Sequence, residues 1–479
     1  MLSPTTMQRP NWRAALAPAI DAAYAFLEGL PERPVRARDS AETILGAFAE
    51  PLAAEGKDAA AVLTELARKA DPGITAMAGG RFFGWVIGGA LPAALGADWL
   101  VSAWDQNAGM AEPTPAAAAI EQVVLRDLVE LFDLPRKTSG ALVTGAQMAN
   151  TTCLAAARGR VLRAHGWDVE QDGLVGAPPL HVLVGAERHD TVLRALRLLG
   201  LGAARAVTVP ADEQGRMRAE ALEAALQPLT GSVIVCAQAG NVNSGSIDPL
   251  PRIADIVDQA RARLGADAVW LHVDGAFGLW GRASGELRAR VAGIERADSW
   301  ATDAHKWLNT PYDSGIALCA DADAHRRAMT VRAAYLPDQD ENAVRSPLDY
   351  TPEFSRRARG IPVYAALRQL GRRGVARLVE RSCAHAARFA AELARAPGVA
   401  VLNDVVLNQV VVAFRDPRAE DDDAHTREVV RRVQADGTCF MSGSTWRGRA
   451  VMRISVTNWS TDDDDVTRSI ASVLRAHGG

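Results

Sequence analysis

Lysine is almost missing from this chain of 479 residues. Only Lys57, Lys69, Lys137 and Lys306 occur, so 49 of the 53 basic residues are arginines. Wherever a generic cation serves, arginine supplies it, and a retained lysine calls for another reason. An excess of either charge is lacking too. The formal net charge of −4 and the isoelectric point near 6.2 argue against nucleic acid as the main partner. Cysteine is sparse: Cys153, Cys236, Cys319, Cys383 and Cys439 are scattered and odd in number. They form neither a disulfide framework nor a zinc spacing, which fits a reducing cytoplasm. Long apolar runs are missing as well. The first 31 residues are broken by Arg9, Arg13, Asp21 and Glu28 and hold no signal-peptide core. The uncharged run Phe82 to Ala97 contains Pro92 and four glycines, and it falls short of the roughly 20 residues a membrane span needs. It reads as buried structure near an active site. The acid runs Asp421 to Asp423 and Asp462 to Asp465 read as solvated faces or helix starts, with no metal site implied.

What is present stands out against these gaps. Lys306 lies in the apolar run Asp303-Ala304-His305-Lys306-Trp307-Leu308. Arginine is always charged, whereas a partly buried lysine can lose its proton and attack a carbonyl to form a Schiff base. The other reading is a lysine whose stem lies on apolar surface with its amine in water. Upstream, Ala268-Val269-Trp270-Leu271-His272-Val273 reads as a buried strand, followed at once by Asp274-Gly275-Ala276. That puts an acid at a strand's carboxyl end, where open parallel sheets bind ligands. An isolated Asp274 fits a helix cap equally well. A Schiff-base lysine together with an acid that keeps a pyridinium protonated is the protein's share of pyridoxal-phosphate chemistry, and the two motifs in this order point there.

On these residues, and on Ala297-Asp298-Ser299-Trp300-Ala301-Thr302 before them, the chain resembles the group II pyridoxal-phosphate-dependent amino-acid decarboxylases, the aromatic-L-amino-acid and glutamate decarboxylase-like family. The likeness runs from about Phe82 to the tail. It implies a fold type I homodimer with pyridoxal 5'-phosphate as cofactor, a small amino acid as substrate, active sites at the interface and a cytoplasmic setting. Residue by residue, it implies Lys306 as the Schiff-base lysine, Asp274 at the pyridine nitrogen and His189 stacked on the ring. Ala146 and Gln147 would cradle the phosphate at a helix start. Gln238, Ala276, Asp303 and His305 would also line the cofactor. Tyr335, in Ala333-Ala334-Tyr335-Leu336-Pro337, matches a loop tyrosine that protonates Cα, and a phenylalanine there is associated with aldehyde-forming outcomes. Phe82, Phe83 and Trp85 match the substrate side, and Phe82 and Trp85 favour an aromatic or otherwise apolar side chain, although aromatic residues in such runs are more often core than pocket. Arg81 leaves an acidic substrate open, and Arg453 is a weaker candidate for carboxylate contact. The motif departs from the family pattern at Gly79-Gly80, where a His-Pro is common.

Strand patterns near 141–145, 181–185, 204–209, 232–237, 268–273 and 314–319 alternate with helical ones such as 215–227 and 249–264, which predicts an α/β unit with a mostly parallel sheet. Residues 1–75 are expected to form an N-terminal helical segment packed on a partner, 76–355 the large cofactor-binding domain, and 356–479 a smaller α+β domain with strands at 407–414 and 450–456. Decarboxylation to the amine is the leading expectation. The alternatives are another fold type I reaction (oxidative aldehyde formation, carbon–carbon cleavage or transamination) and, more remotely, a non-catalytic binding relative.

Overall fold

Short β-branched runs buried on both faces form the centre of the chain. In the computed structural model, which describes residues 11–330, 344–418 and 420–478, twelve strands lie in two sheets: β1 Phe82–Phe83, β2 Ser139–Val143, β3 Leu180–Gly185, β4 Val207–Val209, β5 Ser232–Gln238, β6 Val269–Asp274, β7 Ser299–Asp303, β8 Gly315–Cys319, β9 Val399–Val401, β10 Gln409–Phe414, β11 Phe440–Trp446 and β12 Arg449–Ser455. The large sheet has the order β2-β8-β7-β6-β5-β3-β4. Strands β4, β3, β5, β6 and β7 run parallel, and β8 is antiparallel to both neighbours. Helices on both faces bury it, so β5 and β6 expose no residue. The expected α/β architecture with a mostly parallel sheet is observed.

β7 is the strand the hydrophobic pattern does not announce. Its Ser299, Thr302 and Asp303 are polar yet buried, because each finds a hydrogen-bonding partner inside. The small sheet, β1-β11-β12-β10-β9, is antiparallel except where β1 joins β11. Phe82 and Phe83 therefore belong to the C-terminal sheet in space, although they precede the large sheet in sequence. Helix Gly360–Leu393, bent at Gly371 with φ +60, ties the two units together. Its Val363, Ala366, Val375 and Val379 pack in the large core, and its Ala386, Phe389 and Leu393 in the small one. Helices Trp12–Gly29, Ala41–Phe48 and Ala59–Ala70 contain no buried residue.

Candidate active site

The carboxyl ends of the parallel strands converge on one set of side chains. Asp274 closes β6 and is buried. Its Oδ1 accepts from the Ala276 amide at 3.1 Å and its Oδ2 from Asn150 Nδ2 at 3.1 Å. No cation pairs with it among the described residues. Gln238 sits opposite it in the β5–β6 register, with its amide donated to Asp248 Oδ2 at 2.7 Å. Lys306 follows β7 by three residues. Its Nζ lies 3.0 Å from Asp303 Oδ2, its side chain is 21 % exposed, and the amine stands 6.0 Å from the Phe277 ring centre.

Asp303 joins the lysine to a helix start. Strand β2 ends in a turn at Gly145, from which helix Ala146–Arg163 begins, and the Ala146 amide donates to Asp303 Oδ1 at 2.6 Å. An amide at a helix N-terminus favours an anionic oxygen, and here a carboxylate of the chain fills that role. Gly315 lets β8 pass this turn, since an added Cβ would meet the Gly145 backbone at 2.4 Å. Gln147 donates to Thr191 O at 3.2 Å, and its Oε1 is buried without a partner among the described residues. His305 Nδ1 accepts from the Ser314 amide at 3.1 Å, and its Nε2 is 3.5 Å from Asp303 Oδ1. Burial pulls the His305 pKa below the ordinary value, against the opposing pull of Asp303.

His189 caps helix Asp190–Leu198, with Nδ1 2.8 Å from Thr191 Oγ1. Desolvation lowers its pKa, the charge of Asp274 opposes that shift, and Lys306 adds to it. The imidazole thus lies within electrostatic reach of both residues. The glycines of the 82–97 run explain its approach to the lysine turn. A Cβ on Gly88 would lie 2.1 Å from Lys306 O, and the Gly89 amide donates to Asn309 Oδ1 at 2.8 Å. Asn309, left-handed at φ +55 and fully buried, also accepts from the Trp459 amide at 2.9 Å and donates to Thr457 O at 3.0 Å. It binds the lysine turn to both units. Sequence reasoning did not single out Asn309, Asn150 or Ser299, and gave His272 no role. The available signal was the β period of two, which turns His272 and Asp274 to the same side of β6.

The aromatic trio falls elsewhere within this chain. Phe82 stacks on Phe440 at 5.0 Å and Phe83 meets Phe389 edge-on at 5.1 Å, both buried in the small unit because β1 pairs with β11. Trp85, 48 % exposed, leans on Phe440 at 5.5 Å. The Arg81 guanidinium, which the sequence left open to an acidic substrate, is occupied by the carbonyls of Pro31, Arg33 and Thr438 and by Asp465. Tyr335 lies outside the described residues.

A strand-end acid, a lysine beside the next strand and an anion-binding helix start are the features that comparison with known proteins can place. A family model described as the pyridoxal-dependent decarboxylase conserved domain matches residues 47–415. The chain belongs to this family. As a decarboxylase it is 29 % identical over 391 residues to L-2,4-diaminobutyrate decarboxylase of Rhizobium meliloti (strain 1021), covering 79 % of this chain and 74 % of that one. It is 25 % identical over 474 residues to aromatic-L-amino-acid decarboxylase of Bacillus atrophaeus, covering 95 % and 93 %. The crystal structure of Oryza sativa TDC with PLP and tryptamine matches with a TM-score of 0.88 over 99 % of both chains at 23 % identity, a likeness of fold. The enzyme is a pyridoxal-phosphate-dependent carboxy-lyase. Its residues fit that cofactor: Asp274 is a buried carboxylate with no cationic partner among the described residues, and the helix start at Ala146 is an anion site, occupied here by Asp303 Oδ1.

Proposed function

We propose that this decarboxylase removes the α-carboxylate of an L-amino acid as carbon dioxide and releases the amine, with Lys306 as the covalent anchor of the cofactor. The observation that carries the reading is Asp274, a carboxylate buried at the end of β6 with one N–H on each oxygen and no cation among the described residues. A buried charge of this kind calls for a partner, and a protonated ring nitrogen is one. Pyridoxal phosphate, when bound, supplies the protonated ring that takes up the electrons of the breaking bond. Asp274 holds the proton at that nitrogen, with Gln238 and Ala276 beside it. The Gln147 amide, the Ala146 amide once Asp303 releases it, and the His305 side would hold the phosphate, and His189 would cover the ring. Asp303 orients the Lys306 amine. Tyr335 delivers a proton to Cα, which selects amine over aldehyde.

Arg453 supports a substrate with a carboxylate near His189. It is buried, has no acidic partner among the described residues, and desolvation pulls its guanidinium down to about 10. Its Nη1 lies 3.2 Å from Asn243 Oδ1, its Nε has no partner among the described residues, and its charge reaches His189. Trp85, exposed beside Phe440, is proposed to face substrate only once a second copy of the chain closes the site, with Phe82 and Phe83 as the buried support beneath it. Such a copy would cover Trp12, Leu16, Ile20 and Tyr24, exposed at a spacing of four along one helix face. No described helix is long and apolar enough to cross a membrane, and a cytoplasmic homodimer is the proposed form.

The test is incubation with single L-amino acids, aromatic, acidic and diamino, following carbon dioxide, amine, aldehyde and ammonia together. Carbon dioxide with an equal yield of amine is expected. Carbon dioxide with aldehyde and ammonia would replace amine formation by oxidative decarboxylation, and amino-group transfer without carbon dioxide would overturn the reading.

A further inference from the structure

Behind Asp274, four buried side chains form a line that leads away from the site. Trp270 Nε1 lies 2.9 Å from Ser299 Oγ, Ser299 Oγ lies 2.8 Å from His272 Nδ1, and His272 Nε2 lies 2.8 Å from Asn150 Oδ1. Asn150 Nδ2 then reaches Asp274 Oδ2 at 3.1 Å. The sequence places this line: Trp270, His272 and Asp274 alternate along β6 on one side, and Ser299 is opposite His272 in the register with β7. Ser299, His272 and Asn150 are fully buried, and Trp270 nearly so.

The two ends fix the direction of every proton. An indole nitrogen only donates, and an ionised carboxylate only accepts. The Asn150 group facing Asp274 is therefore its amide nitrogen, which turns Oδ1 toward His272, so His272 Nε2 must carry a hydrogen. Full burial pulls the His272 pKa to about 4, so the ring is neutral and its Nδ1 is bare. Nδ1 then accepts from the Ser299 hydroxyl, whose oxygen accepts from Trp270. Asn150 Nδ2 also stands 3.4 Å from Thr191 Oγ1, the hydroxyl that bonds His189 Nδ1.

We propose that Trp270, Ser299, His272 and Asn150 are a one-way relay of hydrogen-bond donors that holds the Asp274 carboxylate and aims it into the site, with His272 as a positioning residue in its neutral Nε2–H form. The relay rests on the reading of Asp274 as the partner of the ring nitrogen. Aligned donors polarise one another in a low-dielectric interior, so the carboxylate is stabilised from behind. The asparagine sets the limit of the device. An amide in that position passes polarisation but no proton, so His272 cannot neutralise Asp274, and the carboxylate stays available to the cofactor.

The first test reads the holoenzyme itself. Nitrogen-15 histidine spectra of the holoenzyme at neutral pH, with the His272 signal assigned by its loss in His272→Gln, are expected to show a protonated Nε2 and a bare Nδ1. A doubly protonated ring or an Nδ1–H tautomer would overturn the relay. The second test compares Ser299→Ala and Asn150→Leu with Ser299→Thr, which keeps the hydroxyl. Ser299→Ala and Asn150→Leu should lower kcat roughly ten- to hundred-fold, the range for loss of a group that orients a reacting partner. They should also move the absorption spectrum of the bound cofactor in the direction seen for Asp274→Asn, with Ser299→Thr restoring both. If Asp274→Asn is damaging while the other variants keep wild-type kcat and spectrum, the relay is wrong and the role of Asp274 stands. If Asp274→Asn itself is harmless, the reading beneath the relay fails.

Discussion

Asp274 takes one N–H on each carboxylate oxygen, from Ala276 and Asn150, and that leaves lone pairs directed into the site. An amide in its place keeps the shape, but it turns one accepting oxygen into a donor that faces an N–H, and it cannot hold a proton on a ring nitrogen. Asp274→Asn is therefore expected to retain cofactor, read as visible absorbance after gel filtration, while kcat falls about a hundred- to a thousand-fold, as for removal of a preorganised charge-stabilising group. Turnover within a few-fold of wild type would remove Asp274 from the chemistry. At Cα the matching test is Tyr335→Phe, which deletes a hydroxyl and keeps the ring. Carbon dioxide release should persist while amine formation drops about a hundred-fold or more and aldehyde appears in air; unchanged amine yield would assign the proton to another group. Lys306 and Asp274 were legible in the sequence because a lone lysine and a strand-end acid are chemical signals. The partners that hold them, Asn150 and Asn309, were not, since an asparagine's hydrogen bonds depend on what the fold brings to it.

β8 crosses the turn at Gly145 at close range. Gly315 has no side chain there because the Gly145 backbone occupies the position of a Cβ, 2.4 Å away. Backbone cannot rotate aside as a side-chain tip can. Gly315→Ala should push the start of helix Ala146–Arg163 away from β8, destabilise the protein by about 1–3 kcal/mol as overpacking does, and weaken cofactor retention at least as much as stability. Urea midpoints and equilibrium dialysis of pyridoxal phosphate would show this. A variant with wild-type retention would mean that the helix start does not hold the phosphate. The run Phe82 to Ala97 illustrates how element reading divides. Its burial near the lysine turn was expected and is observed at Gly88 and Gly89. Its first two residues instead became an edge strand on a sheet formed more than 300 residues later, a pairing that a two-residue pattern cannot announce.

For the whole molecule, the apolar face of helix Trp12–Gly29 asks for cover. The purified protein is expected to have twice the 51.0 kDa chain mass by light scattering, and Leu16→Glu with Ile20→Glu should yield monomers with little decarboxylase activity. A fully active monomer would discard the dimer. Acid stability follows from two fully buried imidazoles, with His272 drawn to about 4 and His325 to about 3 by desolvation. Their folded pKa values lie below the unfolded 6.5, so the unfolded chain takes up protons that the folded chain refuses. Stability is then level above pH 6.5 and falls as pH drops through the window down to about 4, by about 1.4 kcal/mol per unit per group. His325→Asn should be less stable at neutral pH and show a shallower decline in urea midpoint between pH 6.5 and 4. An unchanged slope would show that His325 is protonated in the native state.

Residue type and spacing along the chain carry the cofactor class and the class of fold. A single lysine in an apolar turn, an acid after a run of β-forming residues, and strand runs alternating with helical periods are local properties, fixed by residue type and spacing. Which groups serve those residues is set by the folded arrangement. β7 is polar and pairs because its neighbours bury and satisfy it, Phe83 is core because β11 stands beside it, and His272 acquires a direction because Ser299 and Asn150 arrive from other elements. Hydrogen-bond satisfaction and close packing are set by partners distant in the chain, and no local pattern carries them.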